Sequence, residues 1–297
     1  MPVKYAFELV FLAAIWGASF LFMRTTSAEF GPVLLITLRT GIAALVLLPV
    51  LLAKRQLNTV VKNWRIISVI GLTNTAIPFC LFSYSTLYLG AGYASVLNAT
   101  APMFGALIAF YWLKDRLLRI AVVGLVIGFV GVVVLSLSRQ HSGTATAWLP
   151  ILAALAATSL YGLAACVAKR YLQGVNALAI TTGSQVVAAI TLAPLSLFFW
   201  PDEMPSSDSW WQVVALGVLC TALAYILYFR LIANIGSAKA ITVAYLVPVF
   251  GVLWGIIFLA ERLNLGMWIG ASLILLGVAL TSGLFTRFRY IESAPKA

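Results

Sequence analysis

Apolar runs, each about the length of one membrane crossing, alternate along this chain with short polar segments. They fall at roughly 5–23, 33–53, 66–87, 93–113, 118–137, 147–168, 177–200, 211–233, 238–259 and 264–286. A helix rises about 1.5 Å per residue, so about 20 residues cross the roughly 30 Å of hydrocarbon in a bilayer. Lipid offers no partner to an unpaired backbone group, so each run is expected to be helical. The alternating pattern of a barrel strand is absent. The pattern predicts an all-α integral membrane protein with ten transmembrane helices. The first run contains Glu8 and is followed by further spans, so it is expected to be a retained helix rather than a signal peptide.

Composition narrows the class. Of the 297 residues, 63% are hydrophobic and 9% charged, against roughly 25% charged in a soluble domain. Disorder is excluded by the hydrophobicity. The net charge of +11 does not indicate nucleic acid, because the basic residues form short clusters between the spans. With the amino terminus in the cytoplasm, fifteen of the 19 Lys and Arg face inward. Arg24, Arg139 and Arg262 face outward, and Arg39 lies within a span. This asymmetry follows the positive-inside rule. Trp200, Trp210 and Trp211 suit anchoring at the membrane interface. Cys80, Cys166 and Cys220 lie inside apolar runs, with no CxxC pair, so no disulfide framework and no zinc site is expected. His141 is the only histidine. No metal, cofactor or catalytic constellation is expected, which argues against a membrane enzyme. Short loops argue against a scaffold or receptor with a soluble extension.

The chain repeats itself. Residues 89–117 align with 235–263 at an offset of 146. Gly90 meets Gly236, Pro102 meets Pro248, Phe104-Gly105 meets Phe250-Gly251, and Asp115-Arg116-Leu117 meets Glu261-Arg262-Leu263. Gly124 and Gly131 meet Gly270 and Gly277, and at an offset of 145 Trp16-Gly17 meets Tyr161-Gly162. The halves are expected at 1–142 and 143–297, with five spans each. Five is odd, so the second half would enter the membrane from the opposite side. Inverted repeats of this kind build secondary transporters, with the substrate site between the halves near midplane.

Two five-span halves, each closing on a proline-containing helix and then an acid beside Arg (Pro102 with Asp115-Arg116; Pro248 with Glu261-Arg262), resemble the drug/metabolite transporter superfamily, EamA-type. Over its whole length the chain is similar to bacterial aromatic amino acid exporters. The resemblance implies ten helices around a central cavity in the inner membrane, both termini cytoplasmic, exporting amino acids or related small metabolites. It leaves monomer and homodimer both open.

Polar residues within the spans are informative, because lipid penalises them. Arg39 attracts a substrate carboxylate in one reading; in the other it pairs structurally or snorkels to the outer interface. Its repeat mate is Ser184. Ser95, Asn98 and Pro102 share a helix face, and Pro102 frees a carbonyl near Asn98. The equivalent face of the ninth span carries Tyr245 and Pro248. Thr75, Phe79 and Phe82 match Thr221, Tyr225 and Tyr228, with Asn74 and Pro78 beside the first set. Trp16 and Tyr161 lie near mid-depth. The candidate substrate-binding residues are therefore Trp16, Arg39, Asn74, Phe79, Ser95, Asn98, Tyr161, Tyr225 and Tyr245; Pro78, Pro102 and Pro248 are candidate gating hinges. Aromatic rings with polar edges suit a pocket for apolar side chains, although ordinary core packing explains each ring equally well. Glu8 either couples transport of a cationic drug to protons or cations, or pairs with Lys4 one turn away. Asp115 and Glu261 are read as helix-end groups paired with their neighbouring Arg. Gly124, Gly128 and Gly131, with Gly270 and Gly277, are assigned to close packing or a dimer contact.

Overall fold

Helix α1 (Val3–Ala53) has 51 residues and as a straight rod would extend about 76 Å. It is not straight. Gly31 alone leaves the helical region, with φ 68° and ψ 158°. Arg39 Nη1 lies 3.6 Å from Met23 Sδ, 16 positions back along the chain; an unbroken helix would hold residues so spaced about 24 Å apart. The chain therefore doubles back at Gly31. The expected loop at 24–32 is helical on both sides of a single reversing residue. Only glycine takes this conformation without steric cost, and Pro32 next to it starts the second arm with φ already set. Glu29 pins the turn, accepting from Ser206 N (2.7 Å) and Ser209 Oγ (2.6 Å).

The structure is a computed structural model that describes residues 2–140 and 148–282. The readings of His141, Arg287, Arg289, Lys296 and the carboxyl-terminal end fall outside the described residues, as does the side chain of Arg139. Eight further helices follow α1: α2 (Trp64–Leu89), α3 (Ala91–Leu113), α4 (Arg119–Gln140), α5 (Trp148–Tyr171), α6 (Ala177–Ser196), α7 (Ser207–Ile235), α8 (Val243–Leu259) and α9 (Leu265–Thr281). Short helices at Leu57–Lys62 and Ser237–Ala240 lie between them, and no strand occurs among the described residues.

Seven of these helices are long and apolar enough to cross a membrane, counting α1 once; α8 and α9 are apolar but shorter, at 17 residues each. The expected ten is thus not reached by length alone. Two expected spans are merged in α1, and Ile241–Thr242 interrupts the run expected at 238–259. Many apolar side chains, among them Leu45, Leu152, Ile190 and Phe258, are exposed, as lipid contact requires.

Helix α1 is the hub, packed against α2, α6, α7 and α8. Leu12, Leu35 and Ile36 of α1, with Leu97 and Met103 of α3, are fully buried in the core. The broadest helix pair is α4 with α9. There the expected glycines meet within one chain. A Cβ on Gly277 would stand 2.5 Å from Gly128 Cα, and one on Gly131 would stand 2.9 Å from the Gly270 carbonyl. Their backbones touch because no side chain intervenes.

Candidate functional site

Helices α1, α2, α3, α5, α7 and α8, with Val278 of α9, enclose a cavity of about 440 Å³. Three local departures from regular helix shape its wall. Helix α2 makes a π-helical stretch at Gly71–Ala76, and α7 makes one at Val218–Leu223. These stretches are repeat-related. Each adds one residue per turn and shifts the register of the side chains beyond it. Helix α3 breaks at Ala99–Thr100, where Ala99 N and Thr100 N bond three residues back to Val96 O and Leu97 O. Pro102 has no N–H to return to the Asn98 carbonyl, so the regular ladder ends there.

Arg39 projects from the second arm of α1 into the lining and is 4% exposed. Its Nε donates to Thr221 Oγ1 at 2.9 Å. Thr221 is oriented by the π-helical register, since its own hydroxyl donates five residues back to Leu216 O at 2.9 Å. The guanidinium lies 4.0 Å from the Phe79 ring centroid. Among the described residues no carboxylate pairs with it. A charged guanidinium is therefore held in the cavity wall by a hydroxyl, a thioether and a ring face, none of which neutralises it. In the other half, the buried Thr75 hydroxyl, repeat mate of Thr221, has no hydrogen-bond partner among the described residues, and the Arg39 mate Ser184 donates to Thr181 O.

Aromatic rings form the rest of the wall. Trp16 meets Tyr225 edge-on at 6.1 Å and Tyr228 at 5.2 Å. Phe82 stacks on Tyr161 at 6.0 Å and takes the edge of Phe20 at 5.6 Å. Asn74 and Asn98 supply neutral amides. Arg39 is the one charged side chain among the described lining residues.

The structure therefore brings Trp16, Arg39, Asn74, Phe79, Asn98, Pro102, Tyr161 and Tyr225 together around one cavity. It places four other candidates elsewhere. Ser95 is buried against α8, donating to Gly92 O at 2.7 Å and to Pro248 O at 3.5 Å. The Tyr245 hydroxyl meets Ser282 Oγ. Pro78 and Pro248 are buried outside the lining. The prolines of the two halves also act differently: α3 breaks just before Pro102, while Pro248 lies inside continuous helix. Ser19, Phe20, Met23 and Cys220 line the cavity without having been singled out. The first three follow Trp16 at three, four and seven positions, a helical-face spacing visible in the sequence. No sequence signal pairs Thr221 with Arg39.

Three acids take partners other than those expected. Glu8 bonds to Arg230 at 3.1 Å rather than to Lys4, because α7 brings a cation against that face of α1. Asp115 pairs with Lys169 at 2.6 Å rather than with Arg116. Glu261 accepts from Ala91 N (2.7 Å) and Gly92 N (3.0 Å) rather than pairing with Arg262. Free amides at a helix start favour an anion, and Gly90, at φ 83°, leaves room for it; a Cβ there would stand 2.6 Å from Glu261 Oε1. The related turn at Gly236 has almost the same dihedrals, yet a Cβ there would meet no atom of the described residues within 4 Å. One turn of the repeat is capped by a carboxylate, and its counterpart has no such cap among the described residues. Glu261→Ala should cost about 1–3 kcal/mol by leaving both amides unpaired. Its thermal unfolding midpoint in detergent should fall clearly below that of Glu261→Gln, which keeps an acceptor. Equal midpoints for the two would remove the cap.

Comparison with known proteins adds an independent line. The model of the EamA-like transporter family matches twice, over residues 4–137 and 148–283. An uncharacterized transporter of Archaeoglobus fulgidus is 25% identical, over 91% of this chain and 95% of its own length. The uncharacterized transporter YvbV of Bacillus subtilis is 26% identical, over 94% and 92%. A probable terminal-alkyne amino-acid exporter of Streptantibioticus cattleyicolor is 22% identical, over 93% of each. A crystal structure at 19% identity superposes with a TM-score of 0.67, covering 96% of this chain and 99% of its own, a likeness of fold alone.

Proposed function

The chain belongs to the EamA-like transporter family, and from that premise we propose that it exports small carboxylate-bearing metabolites, amino acids with aromatic or apolar side chains among them, by alternating access. The observation that carries this reading is Arg39, a buried cation with no carboxylate partner among the described residues, at the wall of a ring-lined cavity. A solute carboxylate would complete the pair, and the rings would take its apolar body. The family relative named as a probable amino-acid exporter supports the same solute class.

The proposal includes ten crossings, in halves 1–142 and 143–297 that enter an inner membrane from opposite sides, with cytoplasmic termini. Its supports are the reversal at Gly31, which makes two arms of α1, the apolar character of α8 and α9, and the one family match per half. The capped turn at Gly90 and the turn at Gly236, uncapped among the described residues, support two related halves caught in unlike states. The cavity reaches the exposed Ile241, near the turn at Gly236, which under the positive-inside orientation is the cytoplasmic end. Nothing in the lining favours a cationic drug coupled through Glu8, since Glu8 lies outside it and is bonded to Arg230.

The test is transport. Purified protein in liposomes should exchange labelled L-phenylalanine or L-leucine across the bilayer, saturably and above protein-free vesicles. Absence of flux for every carboxylate solute tried, from protein that remains folded, overturns the reading.

A further inference from the structure

We infer that the cavity prefers aromatic carboxylates lacking an α-ammonium group over the amino acids of the same shape. This rests on the reading that Arg39 receives a carboxylate, and deepens it.

The argument is one of charge balance. The described lining carries a single cation and no acid. Four acids with described partners lie outside the lining: Glu8, whose Oε1 meets Arg230, Asp115 with Lys169, Glu261 with the amides of Ala91 and Gly92, and Glu29 with Ser206 and Ser209. A monoanion bound at Arg39 brings the loaded site to neutrality. A zwitterion leaves it at one net positive charge, the charge the lining carries before binding, among rings and neutral polar groups. An uncompensated charge in such surroundings is costly. The zwitterion also holds its ammonium close behind the carboxylate, where the guanidinium repels it.

The three groups that hold Arg39 offer the ammonium little. The Phe79 face is covered by the guanidinium itself. The Met23 sulfur and the Thr221 oxygen already accept from Arg39, and the Thr221 hydroxyl hydrogen goes to Leu216 O. Asn74, Asn98, Ser19 and the hydroxyls of Tyr161, Tyr225 and Tyr228 provide neutral acceptors; these can solvate an ammonium but do not change the net charge. The solute body is a different matter, because Trp16, Phe82, Tyr161, Tyr225 and Tyr228 present rings to whatever fills the space. The lining therefore matches a ring joined to a carboxylate by a short apolar link.

The test uses three solutes of one shape: 3-phenylpropionate, L-phenylalanine and 2-phenylethylamine. At neutral pH they carry a carboxylate alone, both groups, and an ammonium alone. Binding to the full chain in lipid nanodiscs is measured by competition, which avoids passive leak of the weak acid. The expected order places 3-phenylpropionate about 10-fold tighter than L-phenylalanine, or about 1.4 kcal/mol, with 2-phenylethylamine weakest. L-Phenylalanine binding as well as or better than 3-phenylpropionate overturns this inference and leaves the carboxylate reading standing. A preference for 2-phenylethylamine, or binding of none of the three, overturns both. In Arg39→Gln the preference for 3-phenylpropionate over L-phenylalanine should vanish, and its persistence would likewise overturn the charge argument.

Discussion

Arg39→Gln should weaken binding of a carboxylate solute by about 10- to 100-fold, corresponding to about 1.5–3 kcal/mol for a hydrogen bond to a charged group. Gln can still donate to Thr221, so the link between α1 and α7 has a substitute and the fold is expected to persist. The comparison that isolates the charge is 3-phenylpropionate against its uncharged amide, with affinity for the amide changing less than about twofold, because its interaction with the cation is small. Arg39→Lys keeps a positive charge but loses the planar fork, and should fall between wild type and Gln. Equal loss of acid and amide in Arg39→Gln would show that the residue only holds helices together. Binding in nanodiscs, with the unfolding midpoint of each variant as a control, distinguishes these outcomes.

The largest effect on folding is expected at Gly277. Its neighbours are backbone atoms: Gly128 Cα and N at 2.5 Å and the Gly124 carbonyl at 2.6 Å from where a Cβ would lie. A flexible side chain could move aside; the main chain of a packed helix cannot without separating α4 from α9. Gly277→Ala should therefore destabilise by about 1–3 kcal/mol, the usual range for overpacking, and Gly277→Val by more. Gly41 supplies the contrast, since it lies inside helical α1 with nothing within 4 Å of its would-be Cβ. Gly41→Ala should be neutral, or stabilising by up to about 1 kcal/mol through helix propensity. Thermal unfolding in detergent separates the two, and similar midpoints for Gly277→Ala and Gly41→Ala would remove backbone contact as the cause.

Much of this molecule can be read along the chain because membrane crossing imposes a length and a polarity on each segment. The expected 93–113 and 177–200 compare with α3 at Ala91–Leu113 and α6 at Ala177–Ser196. Trp16, Arg39, Asn98 and Tyr225 attract attention in sequence because lipid penalises polar atoms, and all four line the cavity. Ser95 satisfies the same criterion but is spent on a contact with α8. Helical spacing says which residues share a face, not which neighbour covers it. Glu8 and Glu261 show the same limit: nearby basic residues suggested local partners, while the folded chain supplied Arg230 and the amides of Ala91 and Gly92 from other helices.

Sequence by itself determined the helical membrane class, the internal duplication and the short set of polar and aromatic side chains from which a site could be built. These depend on composition and spacing, which are local. Folding in three dimensions was needed to show that one glycine reverses α1, that Thr221 holds Arg39, and that the glycines of α4 and α9 serve each other within a single chain. Each of those depends on a meeting of residues distant in sequence or on one backbone dihedral, and no periodicity along a chain records either.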